Sequence, residues 1–279
     1  MEHKLGWRKD PRDERDYKRG AVIVHLPDKV DLSAILPSVR DQGNLGSCTG
    51  FGIGGNLTGC AKDQGVYTEW FSPTWIYNGG RLLEGTLDED SGCYPRDNLE
   101  FIREYGCLLE HFRPYKDTLD ETDPTDWGLN DEAAKYPIIK YTRLVDGVDG
   151  ILSALADGYL VSIGSPWYDS WFYPDAGGNL PEDYLYVAGG HEYLCYGYDK
   201  VRQVLLCQNS WGTGWGNSGK FTVPFSAIEY WKYDGGYDAH IIDVDWVTVT
   251  PEPTPKKKWP WVYIAIAAGV LAVLAILIF

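Results

Sequence analysis

The chain has 279 residues, enough for one large domain or two small ones. Hydrophobic residues make up 44%, aromatic residues 14% and charged residues 23%. This is a globular composition, and it excludes disordered, collagen-like and small disulfide-rich proteins. The net charge of -15 leaves no basic surface for a phosphate backbone, so we expect no nucleic-acid partner.

The N-terminal residues 1–20 are densely charged and aperiodic, which predicts an arm lying on the surface. They contain no apolar stretch typical of a signal peptide. The following residues, up to Arg40, mix short apolar runs with prolines and predict an extended lead-in. We expect residues 21–246 to form the folded domain.

Helical patterns dominate the first half of that domain. The first predicted helix, Cys48 to Asp63, follows a Gly-Ser turn and contains five glycines. Each glycine costs up to about 1 kcal/mol relative to alanine, so this helix must be held by packing in a crowded central position. Further helices are predicted for Pro73 to Leu83, for Pro95 to Tyr105 and, in a shorter form, for Asp149 to Asp157.

From Tyr159 onward the pattern changes to short strands. Apolar and β-branched runs at 160–163, 193–196, 203–207 and 220–223 predict strands, and residues 198–202 predict the turn between the second and the third. Helices followed by antiparallel strands indicate the α+β class. A functional site is expected in a cleft between the two halves.

The C-terminal residues 259–279, from Trp259 to Phe279, carry no charge. As a helix they would extend roughly 30 Å, the thickness of the hydrocarbon core of a bilayer, and they have no polar face. Lys256, Lys257 and Lys258 precede them, at the end of a proline-containing linker of residues 247–258. This predicts a single transmembrane helix in contact with lipid, with the domain on the cytoplasmic side. The alternative is a buried helix of a soluble protein.

Six cysteines are present, without a Cys-x-x-Cys pair. They are too few for a disulfide framework at this length and do not have the spacing of a zinc site. We expect most of them to be buried free thiols in a reducing compartment, and we expect no metal or cofactor.

One cysteine has a special position, because Cys48 would open a helix directly after a turn. The positive end of a helix dipole stabilises a thiolate and lowers its pKa. His191 follows two glycines at the start of a predicted strand, and Asn209 lies in an Asn-Ser-Trp-Gly sequence. A cysteine followed far downstream by His and Asn is the order that the papain signature describes.

The chain resembles papain-like cysteine peptidases, in particular the compact branch of prokaryotes and large viruses. Four sequence blocks carry the resemblance, and together with a leader at residues 6–10 they are distributed over most of the range from 6 to 225: 39–48, 71–73, 189–199 and 209–216. The resemblance implies a two-lobed fold, in which an α-helical lobe and an antiparallel, barrel-like β-lobe flank the active-site cleft.

The resemblance also implies roles for four residues. Cys48 would attack the peptide carbonyl, and His191 would exchange the proton with the thiol and the leaving amine. Asn209 would hold the imidazole in a productive tautomer. Gln42 would donate its amide to the oxyanion, together with the Cys48 backbone N–H.

The expected substrate-binding residues are Gly92, Glu192, Trp211 and Trp215. Gly92 would let an extended substrate backbone approach closely. Trp211 would shield the hydrogen bond between His191 and Asn209 from water. Trp215 lies four residues further along the same sequence block. Glu192 is expected either to select Lys or Arg at the second residue before the cleaved bond or to point to solvent.

The sequence therefore predicts a membrane-anchored cysteine endopeptidase that acts on protein or peptide substrates. Two alternatives stay open: an inactive module that binds extended peptides, and a transferase that passes the acyl group to an amine. Residues 1–20 are expected to be either inert or a short plug of the cleft.

Overall fold

The computed structural model describes residues 3–22, 25–66, 69–234 and 236–247. Within these ranges no helix combines the length and the apolar character needed to cross a bilayer. The predicted membrane span, residues 259–279, and all of the linker beyond residue 247 lie outside the described residues.

The helices of the first half agree closely with the prediction. The first, α1, comprises Cys48–Asp63 as expected, and α2 (Pro73–Glu84) and α3 (Pro95–Tyr105) follow. The Ser72 hydroxyl accepts the Trp75 backbone N–H and caps α2. The remaining α-helices of the described residues are α4 (Asn130–Ala133), α5 (Gly147–Ala156) and α6 (Phe225–Asp234).

The glycines of α1 allow it to lie against its neighbours, as its composition predicts. A Cβ atom at Gly59 would lie 2.1 Å from Leu160 Cδ1, and one at Gly50 would lie 2.5 Å from the Pro73 carbonyl oxygen. Neither position has room for a side chain. The helix is thus central, and its N-terminus is held between the two halves of the domain.

The strands described form a single mixed sheet in the order β1-β3-β8-β4-β5-β6-β7, with β2 paired to β5. Every pairing is antiparallel except that of β1 with β3. The strand bounds are β1 Lys18–Arg19, β2 Lys29–Asp31, β3 Lys140–Leu144, β4 Val161–Tyr168, β5 Val187–Asp199, β6 Val204–Gln208, β7 Lys220–Pro224 and β8 Asp238–Asp243.

Each of the four predicted strands overlaps one of β4 to β7, whereas β1, β2, β3, β8, α4 and α6 were not predicted. The reason is visible in β8, where Asp238 and His240 are buried but polar. They interrupt the apolar pattern by which a strand is recognised.

The two halves have separate cores. One cluster packs α5 and α6 against the sheet around Trp167, Trp171 and Trp231. The other lies among α1, α2 and α3 around Trp75 and Phe101. The α+β class is confirmed, and the cleft lies between these halves.

The expectation that the N-terminal arm lies on the surface is wrong for its first part. Trp7 and Asp10 are only 9% and 3% exposed. Trp7 forms a parallel bridge with Cys93, next to α3, while its backbone N–H donates to Gly190 on β5. The arm therefore enters the cleft and contacts both halves.

Candidate active site

Cys48 is the first residue of α1 and is fully buried. Burial is the largest effect on its thiol and raises the pKa to about 12. The Glu192 carboxylate also raises this pKa, whereas the backbone N–H groups of Glu192 and Gly6 lower it. The expectation of a lowered pKa is therefore wrong for the state with the arm in the cleft, because desolvation outweighs the helix dipole. Cys48 is a neutral thiol in this state.

His191 and Asn209 form the expected pair, with 2.7 Å between Nε2 and Oδ1. The same Oδ1 accepts the Ser210 backbone N–H at 2.8 Å, which fixes the orientation of the amide. His191 Nε2 must then carry the hydrogen, and Nδ1 of the neutral ring has a free lone pair. No described residue makes a hydrogen bond to Nδ1.

Aromatic rings enclose the imidazole of His191. Its ring centroid lies 4.5 Å from that of Trp211 and 4.9 Å from that of Trp167. His3 of the arm stacks on Trp211, with centroids 4.4 Å apart. Burial lowers the pKa of His191 to about 3, the Asn209 hydrogen bond raises it, and His3 lowers it. The imidazole is neutral in this state.

Gln42 is fully buried, and a network fixes its amide. Ser210 Oγ donates to Gln42 Oε1 at 2.6 Å, which leaves Nε2 as the donor. Nε2 donates to the Leu45 carbonyl at 2.9 Å and to the carbonyl of Lys4, in the arm, at 3.2 Å. The Lys4 carbonyl thus accepts a hydrogen bond from the amide that is expected to stabilise the oxyanion.

The backbone of the arm pairs with the cleft on both sides. Gly6 and Trp7 donate their N–H groups to the Gly190 carbonyl, each at 3.0 Å. On the opposite side the Cys93 N–H donates to the Gly6 carbonyl at 2.8 Å, and the Arg8 N–H donates to the Cys93 carbonyl at 3.0 Å. An extended peptide therefore fits between Gly190 and Cys93.

Gly92 supplies the room for this pairing, whereas its neighbour Cys93 makes the hydrogen bonds. Gly92 has a φ of 69°, and a Cβ atom there would lie 2.1 Å from the Gly6 carbonyl oxygen. Any other residue would be strained and would clash with the arm. The structure places Gly92 beside a bound extended backbone.

The side chain of Trp7 lies in a pocket of the β-half. Ideal Cβ positions at Gly164 and Gly190 lie 2.0 Å and 2.4 Å from atoms of its indole ring, so both glycines are in direct contact with it. Its Nε1 donates to Asp238 Oδ2 at 3.1 Å. Sequence reasoning did not identify Asp238 or Gly164 as site residues, because only the strand pairing brings them to the cleft.

Glu192 is 1% exposed and does not point to solvent. Its carboxylate lies against Gly52 of α1, and neither carboxylate oxygen has a hydrogen-bond partner among the described residues. Burial raises the pKa of Glu192 well above its ordinary value, and Asp10 and Asp238 raise it further.

Trp211 and Trp215 have different positions. Trp211 covers His191, as described above, whereas Trp215 packs behind Trp211 with ring centroids 5.1 Å apart. The Trp215 indole donates to the Phe172 carbonyl at 3.0 Å, within the core of the β-half. Its position is that of a packing residue.

The described residues contain no group of three or more His, Cys, Asp or Glu side chains arranged for a metal ion. All six cysteines are unpaired. The chemistry at hand is that of a thiol, an imidazole and amide donors, which together can attack a carbonyl and stabilise the oxyanion that results.

Comparisons with known proteins agree with this chemistry. Residues 26–228 match the family model described as papain family cysteine protease. A peptidase C1-like protein of Acanthamoeba polyphaga mimivirus is 28% identical over 218 residues, covering 74% of this chain and 70% of that protein. Cathepsin B-like CP3 of Giardia intestinalis is 27% identical over 228 residues, covering 76% and 74%. The crystal structure of xylellain, a cysteine protease from Xylella fastidiosa, has a TM-score of 0.79 and 27% identity, covering 88% of this chain and 98% of that chain.

Proposed function

Because the chain belongs to the papain family of cysteine proteases and is a cysteine-type peptidase, we propose that it hydrolyses peptide bonds through Cys48, His191 and Asn209. The 2.7 Å bond between His191 and Asn209 is the observation that supports this assignment most directly. Cys48 is close to this pair, because the Glu192 backbone N–H that acts on its sulfur belongs to the residue after His191.

The tautomer of His191 determines the direction of proton transfer. The free Nδ1 takes the proton of the Cys48 thiol as the sulfur attacks the substrate carbonyl. The Gln42 Nε2 and the Cys48 backbone N–H receive the oxyanion. Nδ1 then gives its proton to the leaving amine, and water hydrolyses the thioester by the reverse sequence.

The arm prevents this reaction while it is in the cleft. Its Lys4 carbonyl accepts a hydrogen bond from Gln42 Nε2, and its Gly6 backbone N–H is directed at the Cys48 sulfur. These contacts support the plug rather than the inert arm. A substrate must displace residues 3–10 before it reaches the thiol.

We further propose that Trp259–Phe279 anchors the enzyme in a bilayer, with the catalytic domain on the cytoplasmic side. The support is in the sequence alone: the segment has no charge and follows three lysines. A linker with alternating prolines would act as a short, extended spacer between domain and membrane.

The test is hydrolysis of denatured, alkylated casein by the full chain and by its Cys48→Ala and Cys60→Ala variants. We expect Cys48→Ala to lose at least about 10⁴-fold in rate, because the nucleophile is removed. Cys60→Ala, which removes a thiol elsewhere on α1, should retain the rate.

Hydrolysis that persists in the Cys48→Ala variant would contradict the assignment. Iodoacetamide labelling of Cys48 without hydrolysis, but with acylation of an added amine, would indicate a transferase. Absence of both reactions in the parent chain and in a Gly6→Ala variant, whose added Cβ displaces the arm, would indicate a peptide-binding module.

A further inference from the structure

The two groups proposed to receive the oxyanion belong to different segments of the chain. Gln42 provides its side-chain Nε2, and Cys48 provides the backbone N–H at the start of α1. Residues 43–47, which connect them, belong to no helix or strand. Both donors must lie about 2.7–3.1 Å from the same oxygen to stabilise it, so the connecting loop has to be held in place.

The hydroxyl of Tyr115 connects these two segments. Its Oη donates to the backbone carbonyl oxygen of Gln42 at 2.7 Å and lies 2.7 Å from Ser47 Oγ. A tyrosine hydroxyl has a single hydrogen, and a carbonyl can only accept, so Ser47 must donate to Tyr115. Burial raises the pKa of Tyr115, so the hydroxyl keeps its hydrogen near neutral pH. Because Ser47 directly precedes Cys48, a hydrogen-bond chain joins the two segments.

Tyr115 is itself held from two sides. Its ring packs edge to face against Phe51 of α1, with centroids 4.7 Å apart. Its backbone N–H donates to Glu110 Oε1 at 2.8 Å, and the same oxygen accepts from Arg40 Nη2 at 2.9 Å. Arg40 lies two residues before Gln42 in the chain. The hydroxyl therefore has a fixed position relative to both segments that it joins.

These bonds do not depend on the docked arm. Tyr115 and its partners all lie between residues 40 and 115, whereas the arm that enters the cleft comprises residues 3–10. Ser210 and the Leu45 carbonyl hold the side chain of Gln42, and Tyr115 holds its backbone. The arrangement can thus persist when a substrate has replaced the arm.

We infer that Tyr115 is a positioning residue of the oxyanion site: its hydroxyl holds the Gln42 backbone against the N-terminus of α1, so that Gln42 Nε2 and the Cys48 N–H converge on one oxygen. This rests on the proposed peptidase function. The Tyr115 hydroxyl acts through Gln42 and Ser47 rather than on the reacting atoms. Loss of an oxyanion donor lowers kcat about 10²–10³-fold, and a donor that is kept but held less firmly should cost less.

The first test is Tyr115→Phe in the full chain, made in the parent and in the Gly6→Ala variant whose arm is displaced. We expect kcat for a peptide substrate to fall roughly tenfold and KM to stay within about twofold, because the oxyanion exists only in the transition state. Tyr198→Phe is the matched control. It removes a hydroxyl that donates to the Pro27 carbonyl at 3.1 Å, seven residues beyond His191 on β5, and should keep kcat.

A peptide aldehyde distinguishes positioning from a general loss of stability. The Cys48 sulfur bonds to the aldehyde carbon, and the aldehyde oxygen, which gains the electron pair of the C=O bond and then the thiol proton, takes the place of the oxyanion. Iodoacetamide reacts with the same sulfur by loss of iodide, without an oxyanion. We expect Tyr115→Phe to bind the aldehyde roughly tenfold more weakly and to react with iodoacetamide at the unchanged rate.

Ser47→Ala removes one of the two bonds of the Tyr115 hydroxyl. It should lower kcat about threefold at unchanged KM, the factor of one neutral hydrogen bond, and should add nothing to Tyr115→Phe in the double variant. If thermal unfolding shows that Tyr115→Phe does not fold, Ser47→Ala decides.

An unchanged kcat in Tyr115→Phe would overturn the inference while the peptidase function stands. So would a loss of kcat equal to that of Tyr198→Phe. If no peptide is hydrolysed by the parent chain or by Gly6→Ala, the peptidase function fails, and aldehyde binding alone decides. Aldehyde affinity that is equal with and without the Tyr115 hydroxyl, or absent from both, would overturn the inference.

Discussion

At the scale of single residues, the Cys48 thiol and the His191 imidazole are uncharged while the arm is docked. Burial raises the pKa of Cys48 to about 12 and lowers that of His191 to about 3. Both shifts arise chiefly from desolvation, which penalises a thiolate and an imidazolium alike. Departure of the arm brings water and substrate to the same atoms, so the charge state of the site depends on whether the arm is docked.

A prediction at this scale concerns Glu192 and the pH dependence of stability. Because burial raises the pKa of Glu192 in the folded state, the folded state binds this proton more tightly than the unfolded state. The free energy of unfolding therefore decreases as the pH rises above the pKa that Glu192 has in the unfolded state. Glu192→Gln should raise Tm by a few degrees at pH 8, on a scale of about 2–4 °C per kcal/mol, and should have little effect at pH 4.

The measurement is thermal unfolding across pH 4–8, with Glu121→Gln as the matched control. Glu121 is exposed, so its replacement should leave the pH dependence unchanged. If the Tm values of Glu192→Gln and of the parent chain differ by the same amount at every pH in this range, ionisation of Glu192 does not lower the stability of the folded state.

At the scale of elements, one strand carries both the histidine of the proposed catalytic site and a residue that contacts the docked arm. In β5 the side chain of His191 points to one face of the sheet, while Gly190 and Glu192 project to the other. His191 thereby contacts the aromatic core around Trp167, whereas Gly190 contacts Trp7 and Glu192 lies against Gly52 of α1. The two-residue period of a strand is enough to separate the two roles.

The prediction at this scale concerns the C-terminal segment 259–279. If it is a membrane helix, the full chain should sediment with membranes, resist extraction by carbonate and partition into detergent. Replacing Ala268 and Val270 by Arg should release it, because a charged residue at the centre of a bilayer costs about 2.5–3.5 kcal/mol. The matched substitution of both residues by Leu should retain membrane association. A chain that stays in the aqueous phase without these substitutions would contradict the anchor.

At the scale of the whole molecule, the arm joins the two halves across the cleft. Arg8 pairs with Glu84 of α2 at 2.5 Å, and the Asp10 N–H donates to Asp238 of β8. Arg96 of α3 donates its backbone N–H to Asp10 at 3.0 Å. These contacts hold the arm next to Cys48, and we expect it to block the thiol there.

The prediction for the molecule uses the tight fit of Gly6. A Cβ atom there would lie 1.8 Å from the Gly46 carbonyl oxygen, so Gly6→Ala cannot be accommodated without displacing the arm. We expect faster iodoacetamide labelling of Cys48 and a roughly tenfold higher peptidase rate than in the parent chain.

Gly214→Ala is the control for this substitution. An added Cβ at Gly214 meets no atom within 4 Å, and its φ is not in the left-handed region, so labelling and rate should stay at the parent values. If Gly6→Ala labels no faster than Gly214→Ala, the arm does not block the thiol.

The sequence by itself determined the family and much of the framework, and it supplies the residues of the proposed catalytic site. Cys48 opens α1 as predicted, because a turn and a helical pattern are local features that neighbouring residues specify. The order of Gln42, Cys48, His191 and Asn209 indicated the family, which the match of residues 26–228 confirms. For these features no long-range contact had to be known.

Only the tertiary structure decided the pocket of Trp7, the position of the arm and the neutral state of Cys48. Asp238 reaches the cleft through the pairing of β8 with β4, and Trp7 is 231 positions away from it in the chain. Burial and facing side chains result from such distant contacts, and they set the desolvation that opposes the helix dipole at Cys48. A pattern of neighbouring residues contains no information about them.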